Sequence, residues 1–283
     1  MTEASPAVSV ILRTRNEARA LPSTIAAIRG QSFVPSPELI VVDSGSMDGT
    51  LEVARRLGVD RLIDVSGEPF SYGRSLNRGT AVAGGEVVVL LSAHARPVHD
   101  RWLAQLLRPL EDPKVAGVYG AQHPWPDAWP PVALDYRQCY GDVPLLHRVP
   151  EQVFFSNANA AVRRGLWRAV PFDEDLPACE DQQWARSAVA HGWTIAYQPD
   201  AAVYHSHNEG PRQLCRRRAR EEQGWRRVTG RKTRLRDALA DGWERCRADA
   251  AWVRAGGGRW HWMALSPLYR FLWALSQWYP YGR

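Results

Sequence analysis

Three short apolar runs constrain the fold of this chain more than any other feature. Residues 8–12 (VSVIL), 39–42 (LIVV) and 87–91 (VVVLL) are continuous in hydrophobicity rather than alternating. A strand with one wet face alternates, whereas a continuous run asks for cover on both faces. Between and after them, residues 21–29, 49–57, 76–83 and 100–110 have helical spacing, and 61–65 and 115–119 read as further strands. Alternation of this kind predicts an α/β fold around a mainly parallel central sheet. Ligands of such sheets sit beyond the carboxyl ends of the strands. The residues there are Arg13-Thr14-Arg15-Asn16-Glu17, Asp43-Ser44-Gly45-Ser46 and Ser92-Ala93-His94-Ala95-Arg96, all polar or small and none suited to a core.

With 283 residues, the chain has room for one large domain plus an appendage. Residues 123–150 are rich in Pro and Trp and read as a long surface excursion. Residues 154–163 can return a strand to the sheet, 181–190 form a helix after Glu180-Asp181, and 194–198 and 202–205 read as short strands. The character changes near residue 211, which divides the chain into residues 1–210 and a helical, Arg- and Trp-rich extension over 211–283. Between Arg212 and Arg236 there are eleven basic and two acidic residues, so a net charge of +6 leaves −3 for the rest. No apolar stretch reaches the roughly 20 residues of a membrane span, and Met1 to Pro6 lacks the basic-then-apolar order of a signal peptide. The four cysteines form no CxxC pair, which argues against a disulfide framework and for a reducing, cytoplasmic setting.

A carboxylate at the end of a buried strand, here Asp43, can accept hydrogen bonds from an imide N–H or a ribose hydroxyl. The plainer reading is a turn in which Ser46 or Asp48 caps the next helix. The basic segment has four readings: contact with anionic lipid, an anionic acceptor, nucleic acid, or solvated arginines on a helical subdomain. The aromatic tail (Trp260, Trp262, Tyr269, Phe271, Trp273, Trp278, Tyr279, Tyr281) fits a membrane interface. It also fits packing on the first domain or on a twin subunit of a homo-oligomer.

Taken together, VSVILRTRNE (8–17), ELIVVDSGSMDGT (38–50), FSYGRSLNRG (70–79), EVVVLLSAHARP (86–97), NANAAVRR (157–164) and PFDEDLPACEDQQWAR (171–186) occur in the order seen in family-2 glycosyltransferases. The resemblance covers residues 8–207 and is closest to bacterial envelope-polysaccharide, rhamnosyltransferase-like members. It implies a GT-A fold and an inverting enzyme that moves a sugar from a nucleotide-diphosphate donor to a hydroxyl of a saccharide or lipid-linked acceptor. By resemblance, Thr14, Arg15, Glu17, Asp43 and Ser44 hold the nucleoside, Arg74 and Asn77 approach it from a third side, and Asn157 and Asn159 contact the acceptor. Asp181 is the implied base, with Glu180 as its backup. An inverting transfer needs one such base to take the acceptor's proton, and a helix start favours its ionised form. Where the family carries Asp-x-Asp for a divalent metal, Mn²⁺ or Mg²⁺, this chain has Ser92-Ala93-His94. The implied ligands are then His94, His205 and His207; two histidines two apart on a strand face the same side. Direct phosphate contact by His94 and Arg96, without metal, is the other reading. A catalytically inactive nucleotide-sugar-binding protein of the same fold is the alternative function, and a nucleic-acid binder ranks last.

Overall fold

The structure, a computed structural model, describes residues 8–278. The expectations for Met1 to Pro6, Tyr279 and Tyr281 lie outside those residues. In chain order the elements are β1 (Val8–Thr14), α1 (Leu21–Arg29), β2 (Glu38–Asp43), α2 (Thr50–Arg56), β3 (Arg61–Asp64), α3 (Tyr72–Val82), β4 (Val87–Ser92), β5 (Arg96–Pro97), α4 (Trp102–Leu107) and β6 (Val115–His123). There follow α5 (Pro130–Cys139), β7 (Leu145–His147), β8 (Asn159–Arg163), α6 (Arg164–Ala169), α7 (Glu180–Ala190), β9 (Thr194–Tyr204), α8 (Pro211–Thr229), α9 (Leu235–Arg254) and α10 (Trp262–Trp278). They fall into two compact units. The first comprises the chain up to Gln122 with Gly141–Asp175 and Glu180–His205. The second comprises His123–Tyr140, Leu176–Cys179 and the chain from Ser206.

The first unit holds one mixed sheet in the order β3-β2-β1-β4-β8-β6-β9-β5, with β7 on β9. Strands β3, β2, β1 and β4 are parallel, and β8 runs antiparallel to both β4 and β6. The continuous apolar runs are buried on both faces, as their composition demands. On one face Val10, Leu12, Val41, Val89 and Leu91 join Leu21, Ile25 and Ile28 of α1 and Trp102, Leu103 and Leu106 of α4. On the other face α3 lies directly on the sheet. A Cβ at Gly79 would fall 2.8 Å from Ile11 and 2.9 Å from Val42, so only glycine permits that approach. In register, Arg13 is level with Ser92 and Thr14 with Asp43, so β1, β2 and β4 end along one edge.

Two local readings change. Residues 123–150 are not simply an excursion: they contain α5 and β7, the latter paired antiparallel with β9. The two short strands expected over 194–205 are one strand, β9, interrupted in burial at the exposed Asp200.

The second unit is helical. Leu214, Ala238, Trp273 and Ala274 form its core with Tyr269 against them, and Trp129 packs on Trp262 with centroids 5.3 Å apart. The Arg270 guanidinium, 1% exposed, donates to Asp249 from Nε and Nη2 at 2.7 Å, to Asp135 at 2.7 Å and to the Pro131 carbonyl at 3.0 Å. Asp249 is itself 0% exposed and also accepts from the Ser266 hydroxyl. Part of the basic segment is internally paired: Arg217 with Glu209 and Glu221, Arg218 with Glu221, and Arg226 with Glu222. Among the described residues no helix is long and apolar enough to cross a membrane.

Candidate active site

The site is built in the first unit, at the carboxyl edge of the parallel strands. Thr14 donates to Asp43 at 2.9 Å. Asp43, 0% exposed, also accepts from the backbone N–H groups of Gly45 (3.0 Å) and Ser46 (2.8 Å) and from the Ser46 hydroxyl. Gly45 takes φ +87°, which glycine adopts freely. The loop after β1 is bonded to the loop after β2. Asn16 (φ 58°) accepts from the Met47 N–H at 2.9 Å and donates its own N–H to Ser46 Oγ at 2.7 Å. Glu17 donates its N–H to Thr50 Oγ1 at 2.8 Å, and Ala18 donates its N–H to Asp48 at 3.1 Å. Asp48 thus both joins the loops and accepts from the Thr50 N–H as a turn residue. Its carboxyl is held below the ordinary value chiefly by the Thr50 hydroxyl. A recess beside these loops is lined by Ser44, Pro69, Phe70, Arg74 and Ser75. The exposed Arg15 lies 5.8 Å over the Phe70 ring at its lip.

Two asparagines expected at ligand contacts are bonded within the fold. The Asn77 amide donates to the Phe172 carbonyl (2.8 Å) and Glu174 (3.0 Å), and accepts from Trp167 Nε1 (2.8 Å) and the Phe172 N–H (3.1 Å). Its amide is thus spent on Trp167 and the 172–174 segment. Asn159, 0% exposed, accepts from Trp102 Nε1 and donates to the carbonyls of Ala121 and Ala201. It ties three chain segments together inside the core. Arg74 is half committed: it pairs with Glu174 at 2.9 Å and donates to the Pro69 carbonyl at 2.6 Å while lining the recess.

After β4, Ser92 Oγ lies 3.3 Å from the His94 ring. The His94 and His205 rings are stacked, with their Nε2 atoms 3.0 Å apart. Each ring has its Nδ1 on a fixed partner: His94 on Glu17 Oε1 at 2.7 Å, and His205 on Gln122 Oε1 at 2.8 Å. Gln122 Nε2 donates to Ser156, so its Oε1 is the acceptor toward His205. With both Nδ1 atoms protonated toward these acceptors, both Nε2 lone pairs converge on one point, an arrangement that a cation between them relieves. Glu17 and Gln122 are therefore the orienting groups of an imidazole pair. His207 belongs to the second unit, two residues beyond His205.

Glu180 and Asp181 open α7. Asp181 accepts from the backbone N–H of Asn157 (3.2 Å) and of Gln182 (2.8 Å), and Glu180 accepts from the Asn157 amide at 3.4 Å. Burial, then the charge of Glu180, pushes the Asp181 carboxyl up from 3.8 to about 7. Burial raises Glu180 as well, against the opposing influence of Arg13. Asn157 Oδ1 and Arg13 Nη1 are buried polar atoms without a hydrogen-bond partner among the described residues. The Arg13 guanidinium stacks over Tyr72 at 4.2 Å. Sequence reasoning gave Arg13 and Gln122 no role, although both stand at the carboxyl ends of strands, where ligands of such sheets gather.

The mixed sheet that carries these carboxylates, the imidazole pair and the recess has the GT-A architecture of glycosyltransferases. The structure is similar to that of the mannosyltransferase PcManGT from Pyrobaculum calidifontis in complex with GDP-Man and Mn²⁺. The TM-score is 0.66 and the identity 22%, over 97% of this chain and 87% of that one. It is also similar to glucosyl-3-phosphoglycerate synthase from Mycobacterium tuberculosis with Mn²⁺ and UDP, at TM-score 0.60 and 20% identity over 81% and 82% of the two chains. Residues 6–224 match the model "Glycosyltransferase like family 2", and the chain belongs to that family of enzymes. The O-antigen chain rhamnosyltransferase RfbN of Salmonella typhimurium is 30% identical over 74% of this chain and 69% of its own length. WbaN of Salmonella anatum, of the same description, is 34% identical over 68% and 63%.

Proposed function

We propose that this glycosyltransferase is an inverting rhamnosyltransferase of bacterial surface-polysaccharide synthesis. In this reading a nucleoside-diphosphate sugar lies along the loops after β1 and β2, and the reaction extends a saccharide or lipid-linked acceptor. The carrying observation is the Glu180–Asp181 pair beside the partnerless Asn157 Oδ1. Asp181, with its carboxyl near 7, takes the acceptor hydroxyl proton as the oxygen attacks the anomeric carbon. Asn157 Oδ1 and Arg13 Nη1 accept from and donate to the bound sugars. The test is transfer from nucleoside-diphosphate rhamnose to a saccharide acceptor, with the product anomer read by NMR. An inverted anomer supports the reading. A retained one, or no turnover with any nucleoside-diphosphate sugar, overturns it.

The imidazole pair fits a divalent ion, with His94 and His205 as donors and His207 as a third. Bound there, the ion would supply positive charge to the leaving diphosphate. Two imidazoles without the family's carboxylates suit Mn²⁺ or Co²⁺ better than Mg²⁺. We expect Mn²⁺ to raise the melting temperature, and His94→Ala or His205→Ala to abolish that rise. Glu17→Gln should weaken Mn²⁺ binding about tenfold or more, because the orienting acceptor of a ligand histidine sets its basicity. An unchanged Mn²⁺ shift in His94→Ala removes the metal from this site. The second unit's part in the reading is peripheral contact with the inner face of the cell membrane, where a lipid-linked acceptor would be met.

A further inference from the structure

Helix α10 contains one charged residue, Arg270, and that residue is buried in the ion network with Asp249 and Asp135. The helix therefore presents a surface with no charge at all. Leu265, Leu268 (57% exposed), Phe271 (50% exposed) and Trp278 are exposed, and Leu272 and Leu275 are half-buried beside them. Their spacing of three and four residues makes one continuous stripe, about 20 Å long at 1.5 Å per residue. Trp278 stands at one end of it, and the exposed Trp260 just precedes the helix. An uncharged apolar face of this length is uncommon on a free surface and marks an interaction site.

The charge of the unit that carries it decides the occupant. By sequence the second unit carries +9, and the ion pairs of α8 use only some of its arginines. Arg231, Lys232, Arg234, Arg236, Arg247, Arg254 and Arg259 are exposed. A second copy would bring the same positive charge to the interface, whereas an anionic bilayer complements it. An apolar, Trp-bearing helix face on a unit with many exposed arginines combines the two attractions of peripheral binding to anionic lipid. Spanning is a different geometry, and α10 does not suit it: Arg270, Trp273, Ala274 and Ser276 pack inward on its other side.

We infer that α10 is the surface by which the second unit lies on an anionic lipid bilayer, through the stripe from Leu265 to Trp278. This rests on the membrane contact proposed above and names the face that makes it. The test is co-sedimentation of the full chain with vesicles of phosphatidylcholine alone or mixed with phosphatidylglycerol. It compares the parent, Leu268→Glu/Phe271→Glu, and Arg231→Gln/Lys232→Gln/Arg234→Gln, with folding checked by circular dichroism. Both substituted sets are surface residues of the second unit. The expected result is binding to the phosphatidylglycerol vesicles that the double Glu variant loses by about tenfold or more, even at low salt. The Gln variant should lose less, mainly by weakening binding at low salt. If the double Glu variant binds as the parent does, α10 is not the contact face and the membrane contact runs through the arginines alone. If the parent binds no vesicles, the membrane contact itself is wrong. A concentration-dependent dimer abolished by the same Glu substitutions would then give the stripe to a second copy.

Discussion

Asp181→Asn is expected to lower kcat by about 10³-fold near pH 8 while leaving nucleotide binding intact. The same substitution should make the protein more stable at that pH. Asp181 sits half-buried, with burial and Glu180 both opposing its ionisation. A carboxyl raised in the folded state holds its proton more tightly there than in the unfolded chain. Its contribution to stability is therefore full at low pH and is lost as pH rises from about 4 through about 7. Asparagine keeps the shape and, with its one oxygen, one of the two N–H bonds from Asn157 and Gln182, and it removes the cost of a charge. The gain should be about 1–2 kcal/mol near pH 8, reduced from the full shift by partial exposure, and should vanish near pH 4. In the parent, kcat should fall as pH drops below about 7, a limb that belongs to the coupled pair rather than to one residue. Urea unfolding at the two pH values, with kcat measured in parallel, checks all of this. A variant that turns over within about tenfold of the parent would remove Asp181 from the role of base.

The second large effect concerns stability alone. Asp249→Ala should cost the second unit about 3–5 kcal/mol, because it leaves the Arg270 guanidinium in the interior with half its partners gone. Asp135 and the Pro131 carbonyl hold only two of its N–H groups. Replacing both charges, as Asp249→Leu/Arg270→Met, should recover most of the loss, since an apolar pair of similar volume carries no desolvation penalty. A loss under about 1 kcal/mol for Asp249→Ala would mean that α9 and α10 are held by their apolar contacts and that the ion network is incidental.

The parallel half of the sheet was readable because its strands are covered on both faces and declare themselves as unbroken apolar runs. From the same rule followed the edge where Thr14, Asp43 and Ser92 gather, and so did the neighbourhood of His94. What periodicity lacks is the identity of the partner. Nothing local distinguishes Asn157, with one oxygen unspent, from Asn159, whose amide is consumed by Ala121, Ala201 and Trp102. Nor does spacing reveal that Glu17 faces His94 across 77 positions, or that Gln122 orients His205. These are pairings between strand ends, set by sheet order. That order includes β8 running antiparallel between β4 and β6, which the apolar runs do not encode. The arginine segment is a related case: composition counts its charges of both signs but not which arginines, Arg217, Arg218 and Arg226, the glutamates meet on α8.

The bonds joining the loops after β1 and β2 carry a thermodynamic consequence. Asn16, Glu17 and Ala18 are already bonded to Ser46, Met47, Asp48 and Thr50 without a ligand, so the entropy of fixing that cradle is spent when the chain folds. On the proposed reading, a nucleotide arriving there has little backbone left to immobilise. Asn16→Ala would transfer part of that ordering to the binding step, and the penalty would register as a less favourable entropy in calorimetry.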